Sequence, residues 1–102
     1  MGGEPVIRLV IHAPTPGALE RGRRNAANLL KLRPDAAVRL VVNGAAVVAA
    51  LDHPDPATDG LLRLCANSLR AAGRDAGALT VVVAAVLDIA TAQAEGWAYL
   101  RA

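Results

Sequence analysis

Residues 38–51 have the sequence Val-Arg-Leu-Val-Val-Asn-Gly-Ala-Ala-Val-Val-Ala-Ala-Leu, and their interpretation decides the fold. Four of the first five residues are apolar and three of these are valine, which is typical of a buried strand. Asn43-Gly44 between two apolar runs is a strong hairpin signal. The second run, however, has four alanines among its seven residues, and alanine favours helix over strand. We therefore predict a strand, a turn at Asn43-Gly44 and a helix over 45–51, with a hairpin as the alternative.

Outward from this segment, strands and helices alternate along the whole chain. The predicted strands are 6–11, 38–42, 61–64, 79–86 and 97–101, and the predicted helices are 18–32, 45–51, 65–73 and 87–95. Thr15 is expected to cap the first helix, with Pro16 in its first turn, and Asp88 to cap the last. Such alternation predicts an α/β fold of three αβα layers, with about five mostly parallel strands covered on both faces.

Composition limits the class of protein. A chain of 102 residues allows one domain, and an apolar content of 54% excludes intrinsic disorder. The single cysteine excludes a disulfide scaffold. The longest apolar run, 78–87, is too short to span a membrane, and residues 1–5 lack signal-peptide features. We therefore expect a cytoplasmic protein with no membrane partner.

Charge and motifs exclude several further functions. A net charge of +2, with one Trp and one Tyr for stacking, does not predict nucleic-acid binding. A basic cluster is interpreted as a solvated helix face rather than an anion site; its members are Arg21, Arg23, Arg24, Lys31 and Arg33. His12 and His53 have no obvious third ligand, and no phosphate-binding or dinucleotide-binding glycine motif is present. No metal or cofactor is therefore expected.

Cys65 is the residue with reactive chemistry. Parallel α/β sheets place their sites at the carboxyl ends of the strands, where His12, Asn43-Gly44 and Cys65 are predicted to lie. A thiol where a strand gives way to a helix is exposed to the helix dipole, which favours the thiolate. Arg63 and Arg70 would add to this effect if they point inward. We expect a partly accessible, reactive thiol; the alternative is an ordinary buried core cysteine.

Several stretches of the chain, taken in order, resemble the DsrE/DsrF-like family of small sulfur-relay proteins. They follow the opening strand and are spread along nearly the whole chain, at Asn25–Leu30, Val41–Gly44, Cys65–Leu69 and Gln93–Leu100. The resemblance implies one flavodoxin-like (YchN-like) domain over residues 1–102, assembled into homotrimers or hexamers. It also implies that Cys65 accepts sulfur as a persulfide, because its position matches the cysteine that does so in some members. The candidate binding residues beside it are Asn28, Asn43, Gly44, Asn67 and Ser68, although capping of backbone groups would also explain the asparagines.

Two functions remain open from the sequence. In the first, Cys65 carries a persulfide sulfur and passes it to the thiol of a partner protein, since the chain has no second cysteine. In the second, the protein is a non-catalytic oligomeric binding module with Cys65 packed in its core.

A mean hydropathy of +0.35 indicates more apolar surface than one small core needs. Trp97, 45–51 and 61–64 are the candidates for contacts between copies.

Overall fold

The fold is a five-stranded parallel sheet with four helices, seen in a computed structural model that describes residues 5–102. Residues 1–4 lie outside the described part, and so does most of the segment 1–5 that is predicted not to be a signal peptide. The strands are β1 (Arg8–Ala13), β2 (Ala37–Val42), β3 (Leu62–Cys65), β4 (Thr80–Val82) and β5 (Ala98–Arg101). The helices are α1 (Pro16–Leu32), α2 (Ala46–Asp52), α3 (Ala66–Ala72) and α4 (Ala85–Ala94), with a short 3₁₀ turn at Asp59–Leu61.

The strand order is β4-β3-β2-β1-β5, and every neighbouring pair is parallel. The first four strands follow one another in one direction, so right-handed crossovers place α1, α2 and α3 on the same face. The chain then returns to the opposite edge, and α4 crosses the other face on the way to β5. The predicted three-layer α/β fold is therefore confirmed. One face carries three helices, whereas the other carries α4 alone.

β2 lies at the centre of the sheet and contributes to the cores on both faces. Leu40 and Val42 point toward α1, α2 and α3, and both are fully buried. Val41 points the other way and packs with Val10 and Cys65 beneath α4. A central parallel strand covered on both faces reads as a continuous apolar run, which explains the sequence pattern of residues 40–42.

The turn at Asn43-Gly44 leads from β2 into α2, as predicted, and the hairpin alternative is wrong. Gly44 has a positive φ of +57°, a conformation that glycine adopts without steric cost. A Cβ atom at this position would also lie 3.0 Å from the carbonyl oxygen of Pro14. β2 pairs instead with β1 and β3, in parallel on both sides.

The fourth strand and the last helix differ from the prediction. β4 contains only Thr80–Val82, and α4 begins at Ala85, so the Val-rich run is divided between the two elements. Ala84 holds the N-cap position of α4 and makes no side-chain cap hydrogen bond. Asp88 is therefore not the cap; it lies in the first turn and forms an ion pair with Arg39 at 3.8 Å. The cap predicted for α1 is confirmed, because the Thr15 hydroxyl accepts a hydrogen bond from the Ala18 N–H.

The apolar segments suggested as contacts between copies are largely used inside the single chain. Ala46, Val47 and Ala50 of α2 are buried, as are Leu62 and Leu64 of β3. Trp97 is half-buried, with the Arg39 guanidinium 4.4 Å from its ring centroid. Four exposed apolar side chains lie instead where β4 meets α4; they are Val81, Val83, Val86 and Leu87, defined here as the β4–α4 patch. Within residues 5–102, no helix has the length and apolarity needed to cross a membrane.

Candidate functional site

Cys65 ends β3 and holds the N-cap position of α3, as the sequence predicts. Its side chain points to the α4 face, where it packs with Val41 and Ala85. The residue is only 5% exposed, so the expectation of a partly accessible thiol is wrong for this conformation. The cause is α4, whose first residue, Ala85, lies over the sulfur. The sequence does not show this cover, because its pattern predicts a strand over residues 79–86.

Four hydrogen-bond donors at two helix starts lie close to the Cys65 sulfur. They are the backbone N–H groups of Asn67 and Ser68 in α3, the N–H of Ala85 in α4, and the Ser68 hydroxyl. Burial raises the pKa of the thiol, but these donors favour the thiolate and together hold the pKa below its ordinary value. The arrangement thus stabilises a buried sulfur anion without a cationic side chain.

Ser68 connects the thiol to the loop after β2. Its hydroxyl oxygen accepts a 2.9 Å hydrogen bond from the Gly44 N–H, which leaves the hydroxyl proton free to be donated to the Cys65 sulfur. The neighbouring Asn67 side chain is exposed, and its Oδ1 accepts a hydrogen bond from Arg70. Gly44, Asn67 and Ser68 therefore lie near the thiol, but the Asn67 side chain is engaged by its own helix.

Replacing Ser68 with alanine should raise the pKa of Cys65, because it removes the hydroxyl donor and keeps the backbone N–H. A thiol whose pKa is lower in the folded state adds to stability above its unfolded pKa of about 8.5. That contribution is lost as the pH falls through the folded pKa. Thiolate ultraviolet absorbance should therefore rise at lower pH in the wild type than in Ser68→Ala. If both proteins titrate together, the hydroxyl does not stabilise the thiolate.

A second polar cluster lies beside the thiol on the same face of the sheet. The His12 Nε2 atom lies 2.9 Å from Asn43 Oδ1, and its Nδ1 atom lies 3.1 Å from the Tyr99 hydroxyl. Asn43 Oδ1 can only accept, so Nε2 carries the proton and Nδ1 accepts from Tyr99. The sequence placed Asn43 near this edge but did not connect it with Tyr99. Because β1 lies between β2 and β5, the sheet order alone brings the three together.

A groove runs between this cluster and α4. It has a volume of about 320 Å³, and its polar wall contains His12, Asn43 and Tyr99. The opposite wall comes from α4 and is mostly apolar, with Ala85, Val86, Ile89 and Ala90 joined by the side chain of Gln93. We call it the α4 groove. Ala85 lines this groove and also packs on Cys65, so the one residue separates the groove from the thiol.

Asn28 and the two arginines do not join the site as expected. Asn28 is exposed on α1, which packs against the opposite face of the sheet. Arg70 is exposed and bonds to Asn67. Arg63 is half-buried on the same face of β3 as Cys65, but no arginine is among the groups that lower the pKa of the thiol. A match at separate stretches of sequence could not show on which side of the sheet Asn28 would fall.

A larger groove, of about 600 Å³, lies between α1 and α2 on the other face. Its most buried charged residue, Arg23, is already bonded to Thr58 and Asp59, and Cys65 does not line it. Among residues 5–102, no group of three potential metal ligands comes together. The thiol and the α4 groove therefore form the candidate site.

Comparison with known proteins identifies a similar solved structure but no activity. A protein of unknown function, MTH1491 from Methanobacterium thermoautotrophicum, has a solved structure similar to this one. The TM-score is 0.59 at 26% sequence identity, covering 94% of this chain and 99% of that one. No family model matches the sequence. No curated protein matches it either.

Proposed function

We propose that the protein is a sulfur carrier, in which Cys65 holds a persulfide and passes its outer sulfur to an acceptor thiol. The observation that supports this most is the set of donors around the Cys65 sulfur. Three backbone N–H groups and one hydroxyl surround a buried thiol and lower its pKa against the effect of burial. A core cysteine needs no such donors, whereas a thiolate nucleophile does.

The same donors favour the step in which Cys65 takes up sulfur. The Cys65 thiolate attacks the outer sulfur of a donor persulfide, R–S–SH. A new S–S bond forms to Cys65, the donor S–S bond breaks, and the donor leaves as the thiolate R–S⁻. The exchange consumes no oxidant. When the outer sulfur is later removed, the electron pair returns to Cys65, and the N–H groups of Ser68 and Ala85 stabilise that leaving thiolate.

Incubation with a persulfide donor should add one sulfur atom to the wild type and none to Cys65→Ser. The two side chains are nearly the same size, so the variant should keep the wild-type circular dichroism and thermal transition. Intact-protein mass spectrometry measures the added mass, and peptide mapping assigns it. Wild-type protein that gains no sulfur under conditions that load a free cysteine peptide would contradict the proposal.

The burial of Cys65 favours the second candidate, a binding module with a packed thiol. Native alkylation separates the two functions, since its rate follows both thiolate fraction and access. A carrier should be alkylated at pH 7 faster than the protein unfolds globally, because only the first turn of α4 has to open. Labelling that occurs only after denaturation would favour the binding module.

We further propose that the carrier acts as a homo-oligomer, a trimer or hexamer, and that it receives its sulfur from a separate donor protein in the reducing cytoplasm. The support within the chain is the β4–α4 patch, where Val83 and Val86 are 76% and 77% exposed. β4 is also an edge strand of the sheet formed by residues 5–102, so within that part of the chain no further strand pairs with its outer side. A second copy covering this patch would bury apolar area next to α4.

Leu87→Asp in the β4–α4 patch should shift the protein toward monomer, because the carboxylate would be buried unpaired at the contact. Leu32→Asp is the matched control: Leu32 is 77% exposed on α1, away from the patch. Sedimentation velocity at micromolar concentration should show an oligomer for the wild type and the control. A wild type that is already monomeric would contradict the oligomer proposal.

A further inference from the structure

The α4 groove has the features of a site for a small thiol that reacts at Cys65. Its volume of about 320 Å³ is at the lower end of small-molecule sites. One wall is mostly apolar and the other carries hydrogen-bonding groups, which suits an alkyl chain with a polar head. No acidic or basic side chain other than His12 lines it. Ala85 lines the groove and packs on Cys65, so a thiol bound in the groove reaches the sulfur only when this residue moves aside.

The polar wall is arranged to accept a proton. Asn43 Oδ1 holds the proton of His12 on Nε2, which leaves the lone pair of Nδ1 facing the Tyr99 hydroxyl at 3.1 Å. Tyr99 is 41% exposed at the groove, so its oxygen can accept a hydrogen bond from an incoming group. A tyrosine that donates to a histidine while accepting from a ligand can pass a proton between them.

We propose that the α4 groove binds a low-molecular-weight alkyl thiol as the sulfur acceptor, and that Tyr99 and His12 together take its proton. The proposal rests on the persulfide function of Cys65. The thiol R–SH gives its proton to the Tyr99 oxygen as Tyr99 gives its own to His12 Nδ1. The sulfur of R–S⁻ bonds to the outer sulfur of Cys65–S–SH, and the S–S bond of Cys65 breaks. The products are R–S–SH, the Cys65 thiolate and protonated His12.

The test uses Cys65 persulfide prepared in advance, so that loading and discharge are measured separately. Single-turnover discharge is followed with 2-mercaptoethanol, which is mostly protonated at pH 7, and with 2-nitro-5-thiobenzoate, which is already a thiolate. Tyr99→Phe and His12→Gln should each slow discharge to the alkyl thiol roughly 100-fold. Neither should appreciably slow discharge to the aryl thiolate, because that acceptor has no proton to give. His53→Gln, an exposed histidine outside the α4 groove, should leave both rates unchanged.

The outcomes distinguish this inference from the function it rests on. Equal discharge by the alkyl thiol in wild type and Tyr99→Phe would overturn the proton role while leaving the carrier intact. If the substitutions slow discharge to the alkyl thiol and to the aryl thiolate equally, the two residues have only a structural role, and the proton role is again overturned. A cysteine-containing peptide that discharges Cys65 far faster than any small thiol would identify a protein acceptor instead. If Cys65 cannot be loaded at all, the carrier function fails, and this inference fails with it.

Discussion

Leu40→Ala should lower the free energy of unfolding by about 3 kcal/mol. Leu40 is fully buried on the central strand β2, and its side chain fills the space beneath α1. Its Cδ1 would lie 2.9 Å from a Cβ built on Gly22, so helix and strand are already in close contact there. Truncation removes buried apolar area and leaves a cavity that the rigid sheet cannot close. That loss is a large part of the 5 to 15 kcal/mol expected for a domain of this kind.

Leu32→Ala is the matched control for Leu40→Ala. It makes the same chemical change at a side chain that is 77% exposed, and should alter stability by less than about 0.5 kcal/mol. Urea denaturation followed by circular dichroism measures both variants. Similar losses for the two would mean that β2 does not pack against α1 as the structure shows.

The order of elements could be predicted from the sequence because it depends on local chemistry. Alanine enrichment after Asn43-Gly44 distinguished a helix from a hairpin, and Thr15-Pro16 marked the start of α1. The extent of β4 could not be predicted in the same way. Residues 79–86 are apolar apart from Thr80, so the sequence does not mark the point where the strand ends and α4 begins at Ala85, which packs on Cys65.

The candidate site was predicted in part. The position of Cys65 at a strand-to-helix junction follows from local sequence, but its burial depends on α4, which is joined to the opposite edge of the sheet. The contacts of His12 with Asn43 and Tyr99 join residues 31 and 87 positions apart. Such contacts are set by strand order, which the alternation of elements does not specify.

The basic cluster on α1 shows the same limit, because its residues divide between two environments. Arg24 is 61% exposed and pairs with Glu20 one turn away, as a solvated helix face predicts. The Arg23 side chain is only 11% exposed. It donates to Thr58 Oγ1 at 2.6 Å, to Asp59 Oδ1 at 3.0 Å and to the carbonyl oxygen of His53 at 3.4 Å. Arg23 therefore connects the loop of residues 53–59 to α1 through these hydrogen bonds.

Arg23→Ala should lower the free energy of unfolding by about 2 to 3 kcal/mol, whereas Arg24→Ala should cost less than about 0.5 kcal/mol. Without the guanidinium, the Asp59 carboxylate loses its cationic partner, and Asp55, 4.0 Å from that guanidinium, loses nearby compensating charge. Arg23→Lys should recover only part of the loss, because an ammonium cannot reproduce the planar set of donors. Hydrogen exchange should show faster opening of residues 53–59 in Arg23→Ala alone. If the two alanine variants are equally stable, Arg23 does not hold the loop.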